Sequence, residues 1–240
     1  MIRISSLIAA LAVIITLCAL TSCNDPQNMQ EDIITNEEAL EVVEAYVVPA
    51  NGGVVSDVEN ITRETESMTL VEFCDSTYLD TINYQFDRLN RQASSEIIWN
   101  MNVSCNNFSI PESATMSVAT NVELSTARIV ASGNSTFSGS LTGLELLSTE
   151  VTWNGSYIRT GNSDLTFKNA NRTETDLNLA LTNLVIDKSS LTIISGSGIY
   201  TLNTVVNGTA QTFSGTITFN GDQTATIVVN GQSFTIDLNP

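Results

Sequence analysis

From about Thr69 to the last residues, apolar and polar side chains alternate in short segments separated by turn-forming pairs. A period of two fits extended strands, because successive side chains then point to opposite faces. The first segment carries Tyr78, Ile82, Tyr84 and Phe86, and its partner runs from Ile97 or Ile98 to Val103 across a polar turn at 87–92. Further strands are expected at 114–124, 127–138, 145–158, 174–186, 191–202, 212–219, 223–229 and 232–238. Turns are expected at Gly133-Asn134, Gly161-Asn162, Asp187-Lys188, Asn207-Gly208, Asn220-Gly221 and Asn230-Gly231. Many short strands with Asn-Gly punctuation predict a mainly β fold, an antiparallel meander forming a curved sheet, a sandwich or a barrel.

The last hairpins can be set in register from sequence. Asn230-Gly231 suits a two-residue type I′ turn, which places Val229 against Gln232, Ile227 against Phe234 and Ala225 against Ile236. Taking Asn220-Gly221-Asp222 as a three-residue loop sets Ile217 against Ala225 and Gly215 against Ile227. One face is then apolar and the other rich in Thr, as in a sheet wetted on one side. Leu238 closes the chain with an apolar strand residue, and Trp99, Trp153, Phe137 and Phe219 are expected to be core anchors.

Before the strands the period changes to that of a helix. Thr35 and Glu38 fit a capping box, and Leu40, Val43 and Val47 follow at helical spacing until Pro49 and Asn51-Gly52-Gly53. A second short helix is expected over 54–66, with Val54, Val58, Ile61 and Thr65 along one face.

The first residues form a third kind of segment. Arg3 supplies a positive start, Leu7 to Leu20 is apolar except for Thr16, and Leu20-Thr21-Ser22-Cys23 follows. This order is that of a secretory signal peptide. The final four residues resemble the lipobox of bacterial lipoproteins, in which the Cys thiol is alkylated by a diacylglyceryl group. The expected organisation is therefore a leader over 1–22, a tether over 23–35, a helical segment over 36–66 and a β domain over 67–240. Acylation at Cys23 would anchor the chain to a membrane of the cell envelope, with the outer membrane expected. An ordinary signal peptide or an uncleaved anchor is the alternative.

Charge narrows the partners. The chain holds 26 acids, 9 bases and no histidine, for a net charge of −17. Removing Arg3 with the leader leaves 8 bases against 26 acids, or −18. Nucleic acid and anionic lipid would both be repelled, so membrane attachment has to be hydrophobic. Thirteen acids and one base, Arg63, lie between Cys23 and Asp75.

Two cysteines, Cys74 and Cys105, remain after Cys18 and Cys23 are set aside. In an exported chain such a pair suggests a disulfide, and the two flank the open end of the first expected hairpin. Two reduced thiols are the alternative. Two Cys without His cannot make a closed zinc site, and no EF-hand spacing is present. The lack of His also removes Ser-His-Asp and Cys-His chemistry, and no nucleotide-loop motif suggests a cofactor. A pair of carboxylates has no sequence spacing, so Glu145, Glu150, Asp164, Glu174 and Asp176 are candidates by residue type alone.

The lipobox, the Glu-rich segment NEEALEVVEAY and the closing FSGTITFNGDQTATIVVNGQSFTIDL together resemble exported lipoproteins of Bacteroidetes bacteria. The resemblance implies an envelope location and no particular activity. It also implies O-glycan attachment at Asp followed by Ser or Thr and a small or aliphatic residue. Asp75-Ser76-Thr77 and Asp80-Thr81-Ile82 match, making Ser76 and Thr81 candidate acceptors. The expected function is a non-catalytic binding or interaction module, with a glycan, a protein or an apolar ligand as partner. A periplasmic carrier of an apolar ligand is the alternative, followed by a carboxylate-dependent glycan-active enzyme.

Overall fold

The computed structural model describes residues 33–88, 90–166 and 171–239, which belong to one compact unit. The leader over 1–22, Cys23 and the tether as far as residue 32 lie outside the described residues.

Helix α1 spans Asn36–Val47 and helix α2 spans Val54–Ser67. The capping box at the start of α1 is present: the Thr35 hydroxyl accepts from the Glu38 N–H, and the Glu38 carboxylate accepts from the Thr35 N–H. A short 3₁₀ turn at Pro49–Asn51 reverses the chain between the helices, with Gly52 in the left-handed region at φ 66°.

Ten strands follow: β1 Thr77–Arg88, β2 Arg91–Cys105, β3 Pro111–Thr126, β4 Ile129–Thr142, β5 Glu150–Leu165, β6 Asn171–Asp187, β7 Ile193–Val206, β8 Thr209–Phe219, β9 Thr224–Val229 and β10 Gln232–Asp237. Each pairs antiparallel with the next, giving a single sheet in chain order with β1 and β10 at its edges; it does not close into a barrel. The meander expected from the alternating pattern is therefore present as one open sheet.

The sheet nevertheless curls. The Asn36 side chain donates to Gln232 of β10 at 3.3 Å, and Glu41 pairs with Arg128, just before β4, at 2.7 Å. Five helical residues cover only about 7.5 Å, whereas six strand spacings in a flat sheet cover about 29 Å. The sheet therefore bends around α1, which touches β4, β5 and β9. Register shifts at Ser104/Cys105 in the β2–β3 pair, at Trp153/Gly155 in β5–β6 and at Thr182/Val185 in β6–β7 add local bends.

The inner face is filled by side chains and by the helices. Trp99, Trp153, Tyr157 and Tyr200 are buried, as are Val42, Val43, Tyr46, Val47, Val54, Val55 and Ile61 of the helices. All four expected anchors, Trp99, Trp153, Phe137 and Phe219, lie in this core, and the Trp153 indole N–H donates to Thr62 of α2 at 3.1 Å. Ile236 and Leu238 are buried too.

Two glycine pairs expected to make turns instead lie inside strands. Gly133 of β4 faces Gly161 of β5 in register, and the Asn134 and Asn162 side chains point to the outer face. A Cβ on Gly133 would lie 2.3 Å from the Thr160 carbonyl oxygen, and one on Gly161 would lie 2.1 Å from that of Ser132. The pairs mark a close backbone approach rather than a reversal. The strand expected from 145 begins at Glu150, because 143–149 forms a loop.

The closing hairpin has the expected register: Val229 faces Gln232, Ile227 faces Phe234 and Ala225 faces Ile236, with Asn230 and Gly231 both at positive φ. The register across the preceding connection differs from the expected one by two residues, with Phe219 facing Ala225 rather than Gln223. Gln223 also takes a positive φ, and Asp222 accepts from the Thr224 N–H, so Ile217 faces Ile227 and Gly215 faces Val229. The displacement is two residues, which keeps each side chain on its expected face.

The Cys74 and Cys105 sulfurs lie at bonding distance, 1.99 Å, with their Cα atoms 5.5 Å apart. The link ties the segment before β1 to the end of β2 and spans 31 residues of sequence. By the loop-entropy relation, reduction or Cys105→Ser lowers the unfolding free energy by about 3–4 kcal/mol, measured by urea denaturation with and without reductant. Gly161→Val meets backbone on the neighbouring strand, so it costs more than about 3 kcal/mol and yields little soluble native protein. Native-like expression and melting of Gly161→Val would show that the close approach is dispensable.

Candidate functional site

The outer face of the sheet carries two adjacent rows of polar side chains in register. One runs through Asn83, Glu96, Asn121, Asn134, Thr160 and Asp176; the other through Gln85, Ser94, Glu123, Ser132, Asn162 and Glu174. Strand alternation sets them there, since their neighbours, such as Ala93, Val122 and Ala131, face the core. Adjacent members of a row sit about 5 Å apart, one strand spacing.

Between the rows lies an open groove of about 720 Å³, lined across β1 to β5 by members of both rows, including Asn83, Glu96, Asn121, Glu123, Asn134 and Asn162. It continues on β6 and β7 into a second depression of about 480 Å³, where Arg172, Glu174, Asp176 and Asn203 line the wall. A third depression of about 470 Å³ shares Gln85, Ser94, Glu123 and Ser132 with the first. Asn121 donates to Glu96 at 3.4 Å and Arg172 to Asn162 at 3.2 Å, and most other side chains of the rows face solvent. The trough thus offers amides, hydroxyls and carboxylates at regular spacing, with Arg172 the one base lining it among the described residues.

A second polar group is sealed between the helices and the sheet. Arg159 of β5 is fully buried, with its guanidinium 4.0 Å over the ring of Tyr46 from α1. The Tyr46 hydroxyl contacts those of Thr175 and, at 3.3 Å, Ser163. Asp57 of α2 accepts from Thr120 of β3 at 3.1 Å. Burial pushes the Asp57 carboxyl up to about 7, against the lowering effects of Thr120 and the positive charge of Arg159. Burial likewise pushes Tyr157 up to about 12. Asp57 is 2% exposed and Arg159 0%, so a substrate has no path to them and the group acts on the seating of the helices.

The residues singled out from sequence fall in several places. Cys23 lies outside the described residues, whereas Cys74 and Cys105 come together. Thr81 is exposed on edge strand β1; Ser76 is half-buried and its hydroxyl donates to the Phe73 carbonyl at 2.8 Å. Of the candidate acids, Glu174 and Asp176 line the outer trough together. Glu145 and Glu150 lie at the β4–β5 loop, and Asp164 lies near the opposite end of β5.

Sequence reading recognised a wet face but not the trough, because cross-strand neighbours follow from register across five connections. Asp57 and Arg159 carried no local signal. Among the described residues, no three His, Cys, Asp or Glu side chains cluster as a metal site, and no helix is long and apolar enough to cross a membrane. The chain matches no protein-family model, no curated protein and no solved structure.

A carboxyl that holds its proton more tightly in the folded chain stabilises the fold at low pH. That contribution is lost as pH rises from the ordinary value of 3.8 to about 7. Burial shifts Glu59 to about 7 as well, so it acts in the same direction. The urea midpoint should therefore fall between pH 4.5 and pH 7.5, and Asp57→Asn should remove a large part of the fall. An unchanged slope in Asp57→Asn would mean that Asp57 is not the group responsible.

Proposed function

We propose that this chain is a cell-envelope binding module that holds a hydroxyl-rich, uncharged polymer along its outer sheet face. The observation that carries the reading is the polar trough across β1 to β7. Amide side chains both donate to and accept from vicinal hydroxyls, carboxylates accept from them, and repetition every strand spacing suits a repeating ligand. Acids along the trough disfavour phosphate or sulfate polymers. A neutral glycan is therefore the ligand class, bound without chemical change.

The proposal includes attachment through acylated Cys23, supported by the charged start, the apolar run and the Leu-Thr-Ser-Cys sequence. Two or more acyl chains are needed for stable anchoring. Carriage of an apolar ligand has less support, because both helices and the large aromatic side chains occupy the inner face.

The direct test is calorimetric titration of the protein with neutral gluco-, manno- and xylo-oligosaccharides, alongside Asn121→Ala/Glu123→Ala. Both side chains are exposed, so melting should be unchanged while binding weakens about tenfold or more, the loss of one or two hydrogen bonds. Equal binding by the double variant, or none by the native protein, would sink the glycan reading. The anchor is tested separately: Cys23→Ala should move the protein from the membrane fraction to the soluble fraction.

A further inference from the structure

The end of the sheet that carries the β2–β3 and β4–β5 loops displays a set of apolar side chains to solvent. Leu146 is 94% exposed, Leu147 93% and Phe108 84%, with Val71 and Ile110 also exposed. These are not frayed loops. The Glu145 carbonyl accepts from the Ser148 N–H at 2.9 Å, so Leu146 and Leu147 take the two corner positions of a tight turn. Such corners ordinarily hold Gly, Asn, Asp, Pro or Ser. Leu144 is buried in the core just before the turn, and the Ser148 hydroxyl donates to the Glu150 carbonyl at 2.7 Å just after it.

The neighbouring turn is braced in a similar way. Asn106 accepts through its side chain from the Phe108 and Ile110 N–H groups, and through its carbonyl from Ser109. Phe108 lies on this hydrogen-bonded loop, three residues after Cys105 of the disulfide. Since β3 and β4 are adjacent, the two turns stand about two strand spacings, or about 10 Å, apart.

We infer that these turns form a docking surface for a basic amphipathic segment of a partner protein. The apolar tips supply contact area, and the hydrogen-bonded turn backbones confine the ordering entropy lost on binding to the side chains. Charge selects the partner. Glu72, Asp75, Glu112, Glu145 and Glu150 lie on the loops and strand ends at this end. Lys188, whose N–H bonds the Thr149 carbonyl, is held by Glu66 at 3.1 Å. Apolar tips at an acid-rich end of the sheet are complementary to a segment with one apolar face flanked by Lys or Arg, and they repel anionic lipid. This surface is separate from the polar trough and does not depend on what the trough binds.

The test uses the full chain and a helical Leu/Lys amphipathic peptide, with binding followed at low and physiological salt. The native protein should bind, and Leu146→Ser/Leu147→Ser should weaken binding about tenfold or more, as expected for removing two leucines that become buried on binding. Phe108→Ser should weaken it as well. Ile199→Ser, which removes a 70% exposed side chain on β7, should leave it unchanged. Equal binding by the Leu146→Ser/Leu147→Ser variant would overturn the inference, as would no binding by the native protein. Leucine-dependent binding to phosphatidylcholine vesicles in place of the peptide would also overturn it, assigning the turns to a lipid surface.

Discussion

The fold depends on the seating of α1 and α2 against the inner face of an open sheet. An antiparallel sheet with one apolar face cannot remain open in water unless something covers that face. Here the cover is α1 and α2, which lead directly into the sheet. Tyr46 is central to the contact: its ring lies under the Arg159 guanidinium, and its hydroxyl reaches Thr175 and Ser163. The sheet makes room for it by keeping the inward row short. Gly133, Gly161, Thr175 and Thr204 face each other across β4 to β7.

That arrangement places charge where charge is costly. Asp57 from α2 and Arg159 from β5 are both buried, and the positive charge of Arg159 offsets part of the rise that burial imposes on the Asp57 carboxyl. Buried charge contributes less net stability than apolar packing would, yet a misplaced helix would take the Tyr46 ring from Arg159 and Asp57 from the Thr120 hydroxyl. The polar interior therefore specifies where the helices sit, while Trp153, Val42, Val43 and their neighbours supply most of the burial.

Covering the inner face also divides the surface into distinct regions. The outer face has no apolar partner to cover, so its rows are free to hold Asn, Glu, Ser and Thr in register. The loop end is different again, since braced turns expose Leu146, Leu147 and Phe108 without weakening the core. Functional readings attach to these regions and not to the interior, where the helices leave Asp57 and Arg159 without access.

The sequence by itself determined the elements. Alternation specified the strands, Thr35 and Glu38 specified the start of α1, and Asn230-Gly231 set the register of the closing hairpin, because each is a short-range steric or hydrogen-bonding rule. The same local rules misplaced Gly133-Asn134 and Gly161-Asn162, since a glycine that permits a turn looks identical to one that permits close strand approach. Tertiary structure alone decided that the sheet stays open and curls over its helices, that Asp57 meets the field of Arg159, and that the polar rows align into a trough. Those outcomes depend on contacts between residues far apart in the chain, where small twists and register shifts accumulate over ten strands and no local pattern records their sum.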